Sequence, residues 1–203
     1  MLGAGAGPGA PRDGDRVSGG VSASGSDRVA GAVSSLLSPA VVVSLTVAAV
    51  WSSAGDVPVP QLVLCTVLPG PVRHVAATGR FTVGDGNRDR GRGYALVLSS
   101  YGLCTAMMLH HPDSPLTPVS LCMLVCAVPM GVADTATKVS VHCGCASACA
   151  SLLSVAVWPV SLVLVPLVGW SRLHLGRHTP VQVLLGTAIG LAVPPVVAIL
   201  WCM

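Results

Sequence analysis

Residues 138–201 read KVSVHCGCASACASLLSVAVWPVSLVLVPLVGWSRLHLGRHTPVQVLLGTAIGLAVPPVVAILW, and the order of apolar and ionisable residues in this stretch decides the fold class. Two apolar runs, 144–170 and 180–201, flank the short polar sequence SRLHLGRHTP. A helix crosses the hydrocarbon of a bilayer with roughly 20 apolar residues. The second run has that length, whereas the first is longer and carries Trp158-Pro159 near its middle. Proline removes a helix hydrogen bond and disfavours helix at the residue before it. A kink or a turn is expected there, and a turn would make the run two short, tightly packed helices.

Working outward, the same alternation of apolar run and polar break continues toward the amino terminus. Further apolar segments occupy 36–51, 61–77, 94–109 and 117–133, the second of them interrupted by Pro69-Gly70-Pro71, Arg73 and His74. The expected fold is therefore all-α: a polytopic transmembrane bundle of about six hydrophobic segments over residues 35–203, the fifth broken at Pro159. Residues 1–34 are rich in Gly, Ala and Ser without apolar periodicity, and read as a disordered tail. No short apolar core follows a basic start, so the run from Leu36 reads as a retained membrane helix rather than a signal peptide.

Composition agrees with a bilayer as the solvent. Of 203 residues, 52% are hydrophobic and 9% charged, with a mean hydropathy of +0.76. A water-soluble domain carries about 25% charged residues. The same figures argue against a disordered chain, which would be polar, and against a nucleic-acid binder, for which a net charge of +3 supplies no basic face. Of the eight cysteines, Cys65, Cys104, Cys122, Cys126 and Cys202 lie inside apolar runs and read as small hydrophobes rather than a disulfide framework. The spacing of His142, Cys143 and Cys145 suits zinc poorly, since adjacent ligands point apart on a helix. Small residues that ease helix contact are the better account of that run.

Most ionisable residues after Gly79 fall in three loops: GRFTVGDGNRDRGRGY, TKVSVH and SRLHLGRHTP. If the third and fourth segments each cross once and the fifth is a hairpin, all three loops emerge on one face. That face would carry ten of the eleven Lys and Arg residues, with Arg73 near it, while the opposite loops carry Asp56 and Asp113. The positive-inside rule makes the rich face cytoplasmic. The expected location is the cell membrane.

The loops hold an inventory suited to phosphoryl transfer. Ser171-Arg172, five further residues and His178 precede the last apolar run; Lys138, Ser140 and His142 precede the fifth; Arg92 belongs to the first loop. A transferring phosphoryl group spreads charge over three oxygens, which fixed Arg and Lys donors stabilise. One neutral histidine can attack phosphorus while a second, protonated, donates to the leaving oxygen. His110 and His174 read as interfacial residues, and Arg73, Arg80 and Arg177 as arginines reaching to headgroups.

These residues resemble the type 2 phosphatidic acid phosphatase superfamily, and the stretches KVSVHCGCASACA and VPLVGWSRLHLGRHTPVQVLLG look like its archaeal integral-membrane members. The likeness spans roughly residues 79–201. It implies an acid phosphatase and vanadium haloperoxidase-like core and a phosphoric ester or diphosphate hydrolase acting on lipid phosphate or isoprenoid (di)phosphate esters. By resemblance His178 is the nucleophile, His142 the general acid, and Arg172, Ser171, Ser140, Lys138 and Arg92 hold phosphate, with no metal or other cofactor required. Gln182 stands where the family has the aspartate that orients the nucleophile, and lowered activity follows from it; Asp134 is an alternative carboxylate. Arg92-Gly93 replaces Arg-Pro and Asp85 replaces a lysine, a role open to Lys138, Arg88 or Arg90. These departures support the alternative of an impaired member that binds lipid headgroups or anions without turnover. The implied partners are a lipid phosphate and the membrane, with no nucleic acid.

Overall fold

The computed structural model describes the backbone of residues 24–55, 57–67, 87–156 and 159–202. The described residues are helical, with no strand among them: α1 Gly25–Leu36, α2 Pro39–Ala54, α3 Val59–Val67, α4 Asn87–Met108, α5 Leu116–Ala136, α6 Val141–Ala156, a 3-10 turn Pro159–Val163, α7 Leu164–His174 and α8 Pro180–Cys202. Two of them, Leu116–Ala136 and Pro180–Trp201, are long and apolar enough to cross a membrane. A third joins them if α1 and α2, bent by 51° at Leu37-Ser38, count as one broken span. The remaining segments of the expected six are represented by α3, by the apolar part of α4, Tyr94–Met108, and by the α6–α7 pair, none of which meets that measure alone, and residues 68–77 of the second lie outside the described residues.

Helix α1 corrects the expected extent of the tail. Residues 25–34 are helical because Ser24 and Asp27 form a capping box: the Ser24 hydroxyl accepts from the Ser26 N–H at 3.2 Å and Asp27 Oδ2 accepts from the Ser24 N–H at 3.0 Å. Ala30 and Ser34 are buried, and α1 packs on α7. The rest of that tail, residues 1–23, lies outside the described residues.

Helices α6 and α8 run parallel and in backbone contact. A β-carbon at Gly186 would collide with the Ser140 carbonyl, and one at Gly190 with the Gly144 carbonyl and Ser147. Gly186 and Gly190 stand four apart, and Gly144 and Ala148 face them with the same spacing, so each helix offers a groove of small residues to the other. That contact accounts for the Gly, Ala, Ser and Cys run of α6. Residues 157–158, where a kink or turn was expected, lie outside the described residues, but their flanks fold back on each other. The Ser161 hydroxyl donates to the Ala150 carbonyl at 2.8 Å, and Cys143 and Ala146 of α6 share a buried cluster with Val168 of α7. The result is two short packed helices, and the carboxyl end of α7 returns to the end of the molecule where α6 begins.

Opposite that end, Trp51 Nε1 donates to the Val57 carbonyl at 2.8 Å, and the Ser114 hydroxyl donates to Gln61 Oε1 at 2.6 Å. These bonds tie the α2–α3 and α4–α5 connections together. The main core lies between the ends, built from Val43, Val47, Cys104, Met108, Leu116, Cys122 and Cys149. Cys65, Cys104, Cys122, Cys126, Cys143, Cys145 and Cys149 are buried or half-buried and are not joined by disulfides. Leu45, Val132, Leu184 and Leu200 are each more than 60% exposed, and such an apolar exterior fits hydrocarbon rather than water.

Candidate functional site

The site is built around the five residues that join α7 to α8. Helix α7 ends in a Schellman motif: the Gly176 N–H donates to the Leu173 carbonyl at 3.0 Å and the Arg177 N–H to the Arg172 carbonyl at 3.1 Å, with Gly176 left-handed at φ +60°. Two residues later Thr179 caps α8 and Pro180 opens it. The Gln182 N–H donates to Thr179 Oγ1 at 3.4 Å while Gln182 Oε1 accepts from the Thr179 N–H at 3.2 Å, a second capping box. His178 is held between these two terminations. Its Nδ1 lies 3.2 Å from the same Gln182 Oε1. As the amide oxygen only accepts, Nδ1 carries the proton and Nε2 is left with its lone pair.

His142, in the first turn of α6, completes the centre. It is close enough to Arg172, His178 and Arg177 for their charges to act on it. Burial first, and those cations second, push its pKa down to about 4. His178 is also lowered, by burial first; the Gln182 bond and Asp134 oppose that shift, while Arg172 and Lys138 add to it. Both rings are therefore neutral at pH 7 in the unliganded site. An anion binding among these cations would raise both values, since opposite charge favours the protonated form.

Arg172 reaches across to another helix. Its Nη1 donates to the Ser34 hydroxyl of α1 at 2.8 Å, and its Nε is buried with no partner among the described residues. Asp27 of the same helix lies 3.2 Å from His174 Nε2, so the first and the last turn of α1 both reach the last turn of α7. Ser140 precedes α6: its N–H donates to the Gln182 carbonyl at 3.2 Å, and its hydroxyl lies 3.2 Å from Cys143 Sγ. The Ser171 hydroxyl donates to the Val168 carbonyl one turn back, at 3.0 Å. Asp134 is buried and accepts from the Val139 N–H at 3.0 Å, which fixes the loop that carries Lys138.

Of the residues expected to act together, the fold gathers His142, His178, Arg172, Gln182 and Lys138. Ser140 and Ser171 are wholly buried and engaged within their own turns. The backbone of Arg92 lies in α4, and its side chain, with Asp85, is outside the described residues. Arg177, read as reaching to headgroups, instead contributes charge to His142 and Arg172. Ser34 and Asp27 were not anticipated as neighbours of this loop; the signal for them was the Ser-x-x-Asp capping pattern that starts α1. No protein-family profile, curated protein or solved structure matches this chain.

Proposed function

We propose that the protein is a membrane-embedded phosphatase that hydrolyses lipid phosphate or isoprenoid (di)phosphate esters through a phosphohistidine on His178. The observation that supports it best is the hydrogen-bonded pair His178–Gln182, which leaves Nε2 as a nucleophile beside Arg172 and His142. The resemblance of SR-x5-H and KVSVH to the type 2 phosphatidic acid phosphatase superfamily supplies the same roles.

In the first step His178 Nε2 attacks phosphorus in line, the N–P bond forms and the P–O bond to the lipid breaks. His142, protonated once the anionic substrate is bound, gives its proton to the leaving oxygen. Arg172 and Lys138 neutralise the equatorial oxygens, and the amino-terminal end of α6 adds backbone N–H groups to that field. In the second step neutral His142 takes a proton from water, which attacks phosphorus and releases inorganic phosphate with His178 restored. The two steps together consume one water and return both histidines to their starting states. The cell membrane, with the site on its cytoplasmic face, is the proposed setting.

A second reading, a lipid-headgroup or anion binder without turnover, is favoured by two features. Gln182 orients His178 but carries no charge to stabilise the imidazolium, and loss of the comparable carboxylate in serine proteases costs about 10⁴-fold in rate. Ser34 also occupies one arm of Arg172.

One experiment separates the readings: phosphate release from lipid mono- and diphosphates by the full chain in nanodiscs, with and without chelator. His178→Ala is expected to abolish release and the acid-labile phosphoenzyme. His142→Ala is expected to slow release by about 10²-fold or more, and Gln182→Asp to accelerate it. Full release by both alanine variants overturns the assignment; no release by the parent chain, restored by Gln182→Asp, favours the second reading.

A further inference from the structure

Between α2, α4, α5 and α6 lies a cavity of about 290 Å³ whose lining is almost wholly apolar. Tyr94, Tyr101, Met123, Met130 and Ala148 form its wall, and His142 stands at its upper end. The same ring thus meets two environments, since Arg172, His178 and Arg177, none of which lines the cavity, lie near enough for their charges to act on it. An amphiphile with an anionic head fits this juxtaposition, its head among the cations and its tail in the cavity.

The dimensions restrict that tail. His142 and Ala148 both line the cavity and lie six residues apart on α6, which gives a depth of about 9 Å at 1.5 Å per residue. Below Tyr101 and Met123 the core closes: the void among Val43, Cys65, Cys104 and Val119 is only about 10 Å³, at the limit of what holds one water. A dry apolar cavity of about 150 Å³ takes one benzene ring of six carbons, so a cavity of about 290 Å³ takes about ten to twelve carbons. That is one chain of medium length, and there is no room for two.

We infer that this cavity seats a single aliphatic chain of about ten carbons, which makes the substrate class single-tailed alkyl or prenyl phosphates rather than diacyl lipids. The inference rests on the proposed function only for the phosphate end. A tail already dissolved in a bilayer gains nothing further from leaving water. Chain-length preference at equal membrane mole fraction therefore reports fit to the closed floor.

The test is equilibrium binding of non-hydrolysable n-alkyl phosphonates, butyl to hexadecyl, to the full chain in nanodiscs, read by native mass spectrometry. Binding is expected to peak near decyl and to fall at least tenfold by hexadecyl. Met123→Ala, which lowers the floor, is expected to move the peak to longer chains, and Ala127→Leu, which fills the cavity, to shorter ones. Opposite shifts from two substitutions at one wall exclude a general loss of fold. Affinity that is flat with length, or a peak unmoved by both variants, overturns the inference. His178→Ala is expected to retain the same length order. That order without any phosphate release by the parent chain supports the cavity assignment while defeating the catalytic one; release without the order does the reverse.

Discussion

Gln182 presents one side-chain oxygen to two donors, the Thr179 N–H and His178 Nδ1, so the residue that caps α8 also sets the tautomer of His178. The charges around it set the pH dependence. In the proposed mechanism attack needs neutral His178, available above its pKa, and proton donation needs charged His142, available below its own. His142 lies at about 4 and His178 below the ordinary histidine value of 6.5. The product of the required forms in the free protein peaks midway between the two pKa values, so kcat/KM is expected to be greatest at acid pH, below the ordinary histidine value of 6.5. A bound phosphate raises the value for His142, so kcat is expected to peak at higher pH than kcat/KM. Rate profiles with a water-soluble phosphate ester check both, and a kcat/KM maximum above neutrality contradicts the assignment. At this scale the spacing of Ser171, Arg172 and His178 was legible because it spans one loop. Ser34 and Arg177 were not, since their roles arise from a contact between α1 and α7 and from the effect of the Arg177 charge on His142 of α6.

The contact that holds the site together is between helices α6 and α8. His142 opens the first and His178 precedes the second, so their separation depends on how closely the two backbones approach. Gly190→Leu places a branched side chain against the Gly144 carbonyl and Ser147. Overpacking of this kind destabilises by about 1–3 kcal/mol, and here the obstacle is backbone that has no rotamer to change. Thermal unfolding in detergent is expected to shift down, with phosphate release lost along with it. Gly31→Leu, at a position with nothing within 4 Å of the added carbon, is expected to leave the melting temperature nearly unchanged. Helices α5 and α8 were readable almost to their ends because each is a continuous apolar run bounded by turn formers. The amino-terminal helix was not, because a stretch of Gly, Ala and Ser lacks apolar periodicity, and what orders it is its capping box and its docking on α7. The break near Pro159 was legible as a break, whereas its resolution into a hairpin depends on Ser161 and Val168 packing back on α6.

For the whole molecule, the starts of α6 and α8 and the end of α7 lie at one end, so the second and third polar loops meet as the alternation of runs and breaks led one to expect. From that end α8 runs away, so Trp201 stands at the end opposite Asp27, which pairs with His174 beside the site. A tag placed before Ser24 and one placed after Cys202 are therefore expected on opposite sides of the membrane in protease-protection assays; equal accessibility contradicts this arrangement. The number of crossings was less legible, because hydropathy counts apolar residues and does not reveal whether a run bends back. That bend makes the protein uneven in height. Helix α5 has 21 residues and α8 has 23, lengths of about 32 and 35 Å. The α6–α7 hairpin is built from helices of 16 and 11 residues, about 24 and 17 Å, against a hydrocarbon layer about 30 Å thick. Next to a bilayer of that thickness this flank is too short, a mismatch that costs less where the bilayer is thin. A hairpin of this height is therefore expected to favour thin bilayers over thick ones.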